Sequence, residues 1–271
     1  MDMTLTIYKI RSIAIFLFVV FVAMSSLSKA DELTPEYSGA YTGDLVWEGV
    51  VTMSGDVLIL EGGSLTIHPG TQVNVFPAEG TKIDPEYLSS QTELLVRGKL
   101  DILGTADAPV RFVIVERNDL EEIAWSGITL DRASQSRIMH AELERADIAI
   151  RCVASSPEIK GNHITHSRYG IVAQQQSHPK ILDNLLADGE GGIFCWKGSN
   201  PYLLGNTIKG HDEEAIFVDA ESRQWLDRNM ISGNAIGLAL YRRDLPLDSV
   251  AVTDNHENVR YLGHQGEDVR E

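Results

Sequence analysis

Two sets of residues in this sequence have types and spacing suited to chemistry. The first is a series of charged and imidazole side chains that returns every 21 to 23 positions: Arg145 and Asp147, then His166 and Arg168, then Asp188 and Glu190, then His211, Asp212, Glu213 and Glu214. Carboxylates gathered along one edge could hold a calcium ion through hard oxygen ligands, or share acid and base work. A solvated charged edge explains the same residues, because loops of acidic proteins usually carry charge. The second set is aromatic. Phe194, Trp196, Phe217 and Tyr241 recur in step, accompanied by Gln174 and Asp219. Flat rings beside hydrogen-bonding groups stack on sugar faces. The competing explanation is that the patch is covered, by the residues after Arg243 or by a second copy of the chain, since large apolar patches seldom stay bare.

Histidine and cysteine invite a metal reading. His163 and His166 form an H-x-x-H, with His178 and His211 further along. On a strand, however, His163 would face outward while His166 falls in the following loop, so the imidazoles need not converge. No Cys or Met cluster supports copper. Cys152 and Cys195 are expected two coils apart in one inward column, roughly 9 to 10 Å between Cα atoms, beyond the ~7 Å limit for a disulfide. Both are read as buried apolar thiols.

All these positions depend on one repeat. Pro157, Pro179 and Pro201 lie 22 residues apart, as do Asn162, Asn184 and Asn206, and Asn229 follows 23 residues later. A second landmark keeps step: "AIRCV" at 149, "GIVAQ" at 170, "GIFCW" at 192, "AIFVD" at 215 and "GLALY" at 237. The runs are short, rich in Ile, Val and Phe, and broken by Gly, Asn, Asp and Pro, so they predict strands of about four residues. Such a unit makes one coil of a solenoid whose strands stack about 4.8 Å apart. Alternation places Ile150, Ile171, Ile193, Ile216 and Leu238 inside, and Phe194, Trp196, Phe217, Asp219 and Tyr241 outside. The four asparagines fall at one turn of successive coils, where each amide can satisfy its neighbours, so a structural ladder is preferred to a catalytic role.

These patterns, with "GDVLILEGGSLTIHPGTQVNVF" (55–76), "ELLVRGKLDILGTADAPVRFVIV" (93–115) and "WSGITL" (125–130), resemble the right-handed parallel β-helix family, the pectate-lyase-like solenoids and their bacterial exported relatives. The resemblance implies an all-β solenoid and an asparagine ladder. It leaves activity open, because the family includes lyases, hydrolases, epimerases, adhesins and accessory proteins, some of which resemble factors for copper enzymes. Polygalacturonase-like members carry Asn-Thr-Asp, Asp-Asp, Gly-His-Gly and Arg-Ile-Lys motifs. This chain has only "GHD" at 210–212 and "NTI" at 206–208. Asp188 and Glu190 with Arg168 could imitate the acidic and basic groups of a pectate-lyase-like site.

The ends and the charge complete the expectation. Lys9 and Arg11 precede twelve uninterrupted apolar residues, Ile13 to Met24, and a small-residue stretch to Ala30, the pattern of a secretory signal peptide over 1–30. Twelve residues are too few to span a bilayer, and no transmembrane segment is expected after cleavage. Loss of Lys9, Arg11, Lys29 and Asp2 leaves 20 basic and 38 acidic groups, a net charge of -18. That excess argues against nucleic acid and against an anionic polymer unless metal ions bridge it. The expectation is one solenoid domain over 31–243 entered through a cap at 31–47, with a projecting loop at 77–92 and a C-terminal cap or tail at 244–271. As a binding or structural module it would take carbohydrate on the aromatic face. The alternatives are a polysaccharide lyase or glycoside hydrolase with an acidic loop site, and an accessory or metal-binding protein. A polysaccharide or cell-envelope partner, or a homo-oligomer joined through the aromatic face, fits the same surface.

Overall fold

The computed structural model describes residues 34–77, 91–115, 123–133, 135–247 and 249–263. The expected signal peptide and most of the expected loop at 77–92 lie outside them. The described residues contain strands and no helix, and so no helix long and apolar enough to cross a membrane. They form a parallel β-helix of about nine turns, the architecture the repeat implies.

Each coil carries up to three short strands, and every strand pairs in parallel with its counterpart one coil away. One face, here the A face, runs through Lys99–Leu103, Arg137–Met139, Glu158–Lys160, Lys180–Leu182, Tyr202–Leu204 and Trp225–Asp227. The B face follows the asparagine turn and includes His163–Thr165, Leu185–Ala187, Thr207–Lys209 and Met230–Ser232. The C face holds Ile148–Val153, Tyr169–Gln174, Gly191–Cys195, Glu214–Val218 and Ile236–Leu240.

The corners explain why the strands stay so short. Between the B and C faces one residue per coil adopts the left-handed region: Arg145 (φ 55°), His166 (φ 50°), Asp188 (φ 58°), Gly210 (φ 70°), Gly233 (φ 69°) and Asp254 (φ 58°). A side chain there costs about 1–2 kcal/mol, so the coil must repay it elsewhere. Packing does so. Ile150, Ile171, Ile193, Ile216 and Leu238 are fully buried in register, joined from the A face by Ile138, Ile159, Ile181, Leu203 and Leu226. Each such side chain contributes about 1.5–3 kcal/mol on burial.

Corner polar groups are satisfied by columns of identical side chains. Asn162 Nδ2 donates to Asn184 Oδ1, Asn184 to Asn206 and Asn206 to Asn229, each at 2.9 Å. The same Oδ1 atoms also accept the backbone N–H of the coil before. A second column, absent from the sequence reading, occupies the corner between the C and A faces: Ser155, Ser177, Ser199 and Ser222, whose hydroxyls accept backbone N–H groups at 2.9–3.2 Å.

Both ends depart from expectation. Glu36–Tyr41 pairs in parallel with the next coil across a register shift between Tyr37 and Gly39, and Asp44–Trp47 pairs without one, so the segment expected to lead into a cap is itself the first coil. At the other end Ala251–Thr253 and Glu257–Tyr261 stack on the preceding strands, carrying the solenoid beyond residue 243. The segment 241–247 forms no A-face strand, and Pro246 there has no N–H to give to a ladder. The base of the 77–92 insertion is closed by Thr92 Oγ1 donating to the Phe76 carbonyl at 2.7 Å.

Candidate functional site

The C face puts the predicted aromatic residues together. Phe194 stacks on Phe217 (ring centroids 5.5 Å, 15° between planes), Trp196 lies 5.4 Å from Phe217, and Tyr241 meets Phe217 edge-on at 6.2 Å. Register explains this, since Phe194 and Phe217 are direct partners in adjacent strands. The exposures differ from expectation. Phe194 is buried at 5%, covered by Tyr169, Trp196 and Phe217, whereas Trp196 and Tyr241 are 42% and 43% exposed. Phe194 therefore supports the platform and does not present a surface.

Of the two expected polar partners, Asp219 has another duty, and Gln174 contributes its backbone to the next corner. Asp219 Oδ2 accepts the Lys197 N–H at 2.6 Å and its Oδ1 accepts those of Glu221 and Ser222, so this carboxylate braces the corner. Gln174 is half-buried at a strand end, and its carbonyl accepts the Ser177 hydroxyl at 2.7 Å.

The charged edge is real and adjoins the platform. A cleft of about 370 Å³ is lined by Arg145, His166, Arg168, Asp188, Glu190 and Asp212, among others. The left-handed corner residues Arg145, His166 and Asp188 turn their side chains off the coil at this place. Arg168 pairs with Asp147 at 2.6 Å and lies 5.3 Å from the Tyr169 ring. Tyr169 joins the two regions: its ring meets Phe194 edge-on at 4.8 Å and its hydroxyl donates to Glu213 Oε2 at 3.5 Å. Burial, then Glu213 and Glu190, push the Tyr169 phenol above its ordinary pKa. Two candidate sites in the sequence thus become one strip, from His166 to Tyr241.

His211 is not on that edge. It is 4% exposed and sits in the corner column, where its backbone N–H donates to Asn234 Oδ1 at 3.0 Å. Gly189 in the coil below packs beside it, and glycine is required there because a Cβ would strike the Ser167 carbonyl. Burial lowers the imidazole pKa against the opposing pull of the Gly189 and Leu186 backbone and of Asp188 and Asp212, which keeps the ring neutral.

A further surface escaped the sequence reading. On the A face, Tyr202 and Trp225 are in-register neighbours, 37% and 59% exposed, beside a groove of about 700 Å³ closed on its far side by Arg242, Asp244, Leu245 and Pro246. Gln224 lines this groove in the column that Pro157, Pro179 and Pro201 occupy in earlier coils. It is 6% exposed, and neither amide atom has a hydrogen-bond partner in the protein, a state that costs about 1–3 kcal/mol. The signal was available: the repeated proline gives way to glutamine once.

The fold and its surfaces define a parallel β-helix with a lateral aromatic and charged strip. The chain belongs to the family described as periplasmic copper-binding protein (NosD), whose model matches residues 110–262. A crystal structure of a mutant of the periplasmic alginate epimerase AlgG is similar with a TM-score of 0.49 and 13% identity, over 85% of this chain and 59% of that one. This chain thus spans less than two thirds of that protein. No curated protein matches the sequence.

Copper is the group the family description implies, and the described residues do not fit it. Among them no three His, Cys, Asp or Glu side chains are grouped to hold a metal ion. His163 projects from a B-face strand, His166 lies past the corner, and His178 is on the opposite corner, where Nδ1 accepts the Asn200 N–H at 3.2 Å. Cys152 and Cys195 are buried, free thiols with Ala173 between them in register, and burial pushes the Cys152 thiol up to about 12. Enclosed in the coil axis and separated by Ala173, the two sulfurs offer no converging pair to a copper ion. The same lack of convergence counts against calcium at Asp188, Glu190 and Asp212.

Proposed function

We propose that this protein is a periplasmic β-helix binding module that takes a glycan along the C-face strip. The observation that carries the reading is the uninterrupted aromatic row of Tyr169, Phe194, Trp196, Phe217 and Tyr241, opening at one end into a polar cleft. Trp196 and Tyr241 supply the stacking surface, and the buried Phe194 fixes its geometry. In the cleft Glu144, Asp188, Glu190 and Asp212 outnumber Arg145 and Arg168, and Arg168 is tied to Asp147. A neutral or amino-sugar chain suits that field, and a polyuronate does not. The family description and the N-terminal export pattern support periplasmic residence.

The test is retention on a glycan array followed by calorimetry with the best neutral or amino-sugar oligosaccharide. Trp196→Ala and Tyr241→Ala should each weaken binding about tenfold, equivalent to about 1.4 kcal/mol. Unchanged retention in the double variant, or no retained glycan, refutes the reading.

A further inference from the structure

The groove beside Tyr202 and Trp225 lies on a different face from the strip and has a different charge. Between residues 99 and 182 the A-face strands carry Lys99, Arg137, Lys160 and Lys180 against Asp101 and Glu158. Asp101 is held by Lys99 at 2.7 Å and by Arg137 at 2.8 Å, and Glu158 stands in register between Arg137 and Lys180, so four cations against two anions leave the row an excess of two positive charges. This basic row leads directly, in register, to Tyr202 and Trp225. Beside them Arg242 is gripped at two points by Asp244, and the exposed Arg223 lies within electrostatic reach of the same carboxylate without closing on it as an ion pair. Gln224, buried and unpartnered, lies along the same groove.

We infer that this groove binds an acidic sugar, a pyranose ring carrying a carboxylate. Trp225 and Tyr202 present rings one coil apart, on which the apolar face of a sugar stacks. The Arg223 guanidinium matches a carboxylate in fork geometry. By rotating about its own side-chain bonds, the Gln224 carboxamide donates to and accepts from ring hydroxyls, gaining the partners it lacks in the protein. A neutral sugar would leave Arg223 facing only Asp244, which Arg242 already holds, and an aliphatic acid would leave both rings bare. The site stands apart from the C-face strip and shares no residue with it.

The experiment titrates the purified protein with a glucuronic acid oligosaccharide and a glucose oligosaccharide of equal length, by calorimetry and tryptophan fluorescence. Trp47 and Trp125 are fully buried, so the fluorescence response comes from Trp196 or Trp225. The acidic oligosaccharide should bind at least tenfold more tightly than the neutral one, and Trp225→Ala and Arg223→Gln should each cost it about tenfold. Gln224→Pro is the sharper variant. Proline fills this column in three preceding coils, so the variant should fold with an unchanged or higher melting temperature yet lose affinity. Trp196→Ala should leave acidic-sugar binding intact. Equal binding of both oligosaccharides, binding of neither, or full affinity in Trp225→Ala or Gln224→Pro overturns the inference. Loss in Trp196→Ala with retention in Trp225→Ala would move the acidic sugar to the C-face strip and refute the neutral-glycan reading there as well.

Discussion

The A and C faces of this solenoid are built on the same coils and differ in almost everything they show to solvent. On the C face a supported aromatic platform runs into a cleft rich in carboxylates. On the A face two rings continue a row of lysines and an arginine. A chain with a net charge of -16 therefore carries a basic stripe. The lesson is that net charge describes approach from a distance, while a coil that repeats every 22 residues or so sorts charges into columns whose local sign is independent of the total. The total charge argues against an unbridged anionic polymer, and an acidic sugar on the A face is proposed from local charge that the total does not describe.

The comparison is best broken at what the two faces share. Ile216 is fully buried in the core cluster that also contains Leu203 and Leu226 behind the A face. Ile216→Ala should cost about 2–5 kcal/mol in chemical denaturation and weaken binding on both faces, whereas independent responses would show that the faces are not mechanically coupled. Next in size is the pair of ring deletions already described, each expected to cost its own face about tenfold and the other nothing. Salt should sharpen the contrast. Raising ionic strength from about 0.05 to 0.5 M should weaken the acidic sugar several-fold and leave the neutral glycan unaffected, because only the former depends on charge. A neutral glycan lost equally in salt would argue against stacking.

The smallest expected effect is a slope with pH. Burial depresses the His211 pKa in the folded state, so the unfolded chain, titrating near 6.5, binds more protons below that value. Stability contributed by the neutral ring is complete above about pH 6.5 and falls as pH drops from there toward the lowered folded pKa. His211→Asn, which places in this coil the residue found in the same column at Asn234 and Asn255, should flatten that part of a melting-temperature profile. An unchanged slope would assign it elsewhere.

Much of the scaffold was legible because a solenoid converts sequence spacing into spatial adjacency. Asn162, Asn184, Asn206 and Asn229 could be placed in one corner by counting, and so could the inward column of Ile171, Ile193 and Ile216. Ser155, Ser177, Ser199 and Ser222 have the same spacing and were overlooked, since an isolated serine is common in any turn. Phe194 was assigned the right direction and the wrong exposure. Alternation tells which way a side chain leaves the strand, and says nothing about a tyrosine and a tryptophan closing over it from neighbouring positions. His211 differs for a related reason: its place in the corner column is set by its backbone N–H meeting Asn234 one coil away, which the charged run 211–214 does not reveal.

The sequence by itself determined the period, and with it the parallel stacking, the aliphatic columns and the amide ladder, because each of these needs only like residues one coil apart. The tertiary structure decided what lies between columns and across corners. It joined the aromatic row to the charged edge through Tyr169, put the basic row beside Tyr202 and Trp225, and brought the segment carrying Arg242 and Asp244 across the groove that Gln224 lines. Those neighbours come from different columns, and their meeting depends on corner dihedrals and the path of the last coil, which no repeat spacing encodes.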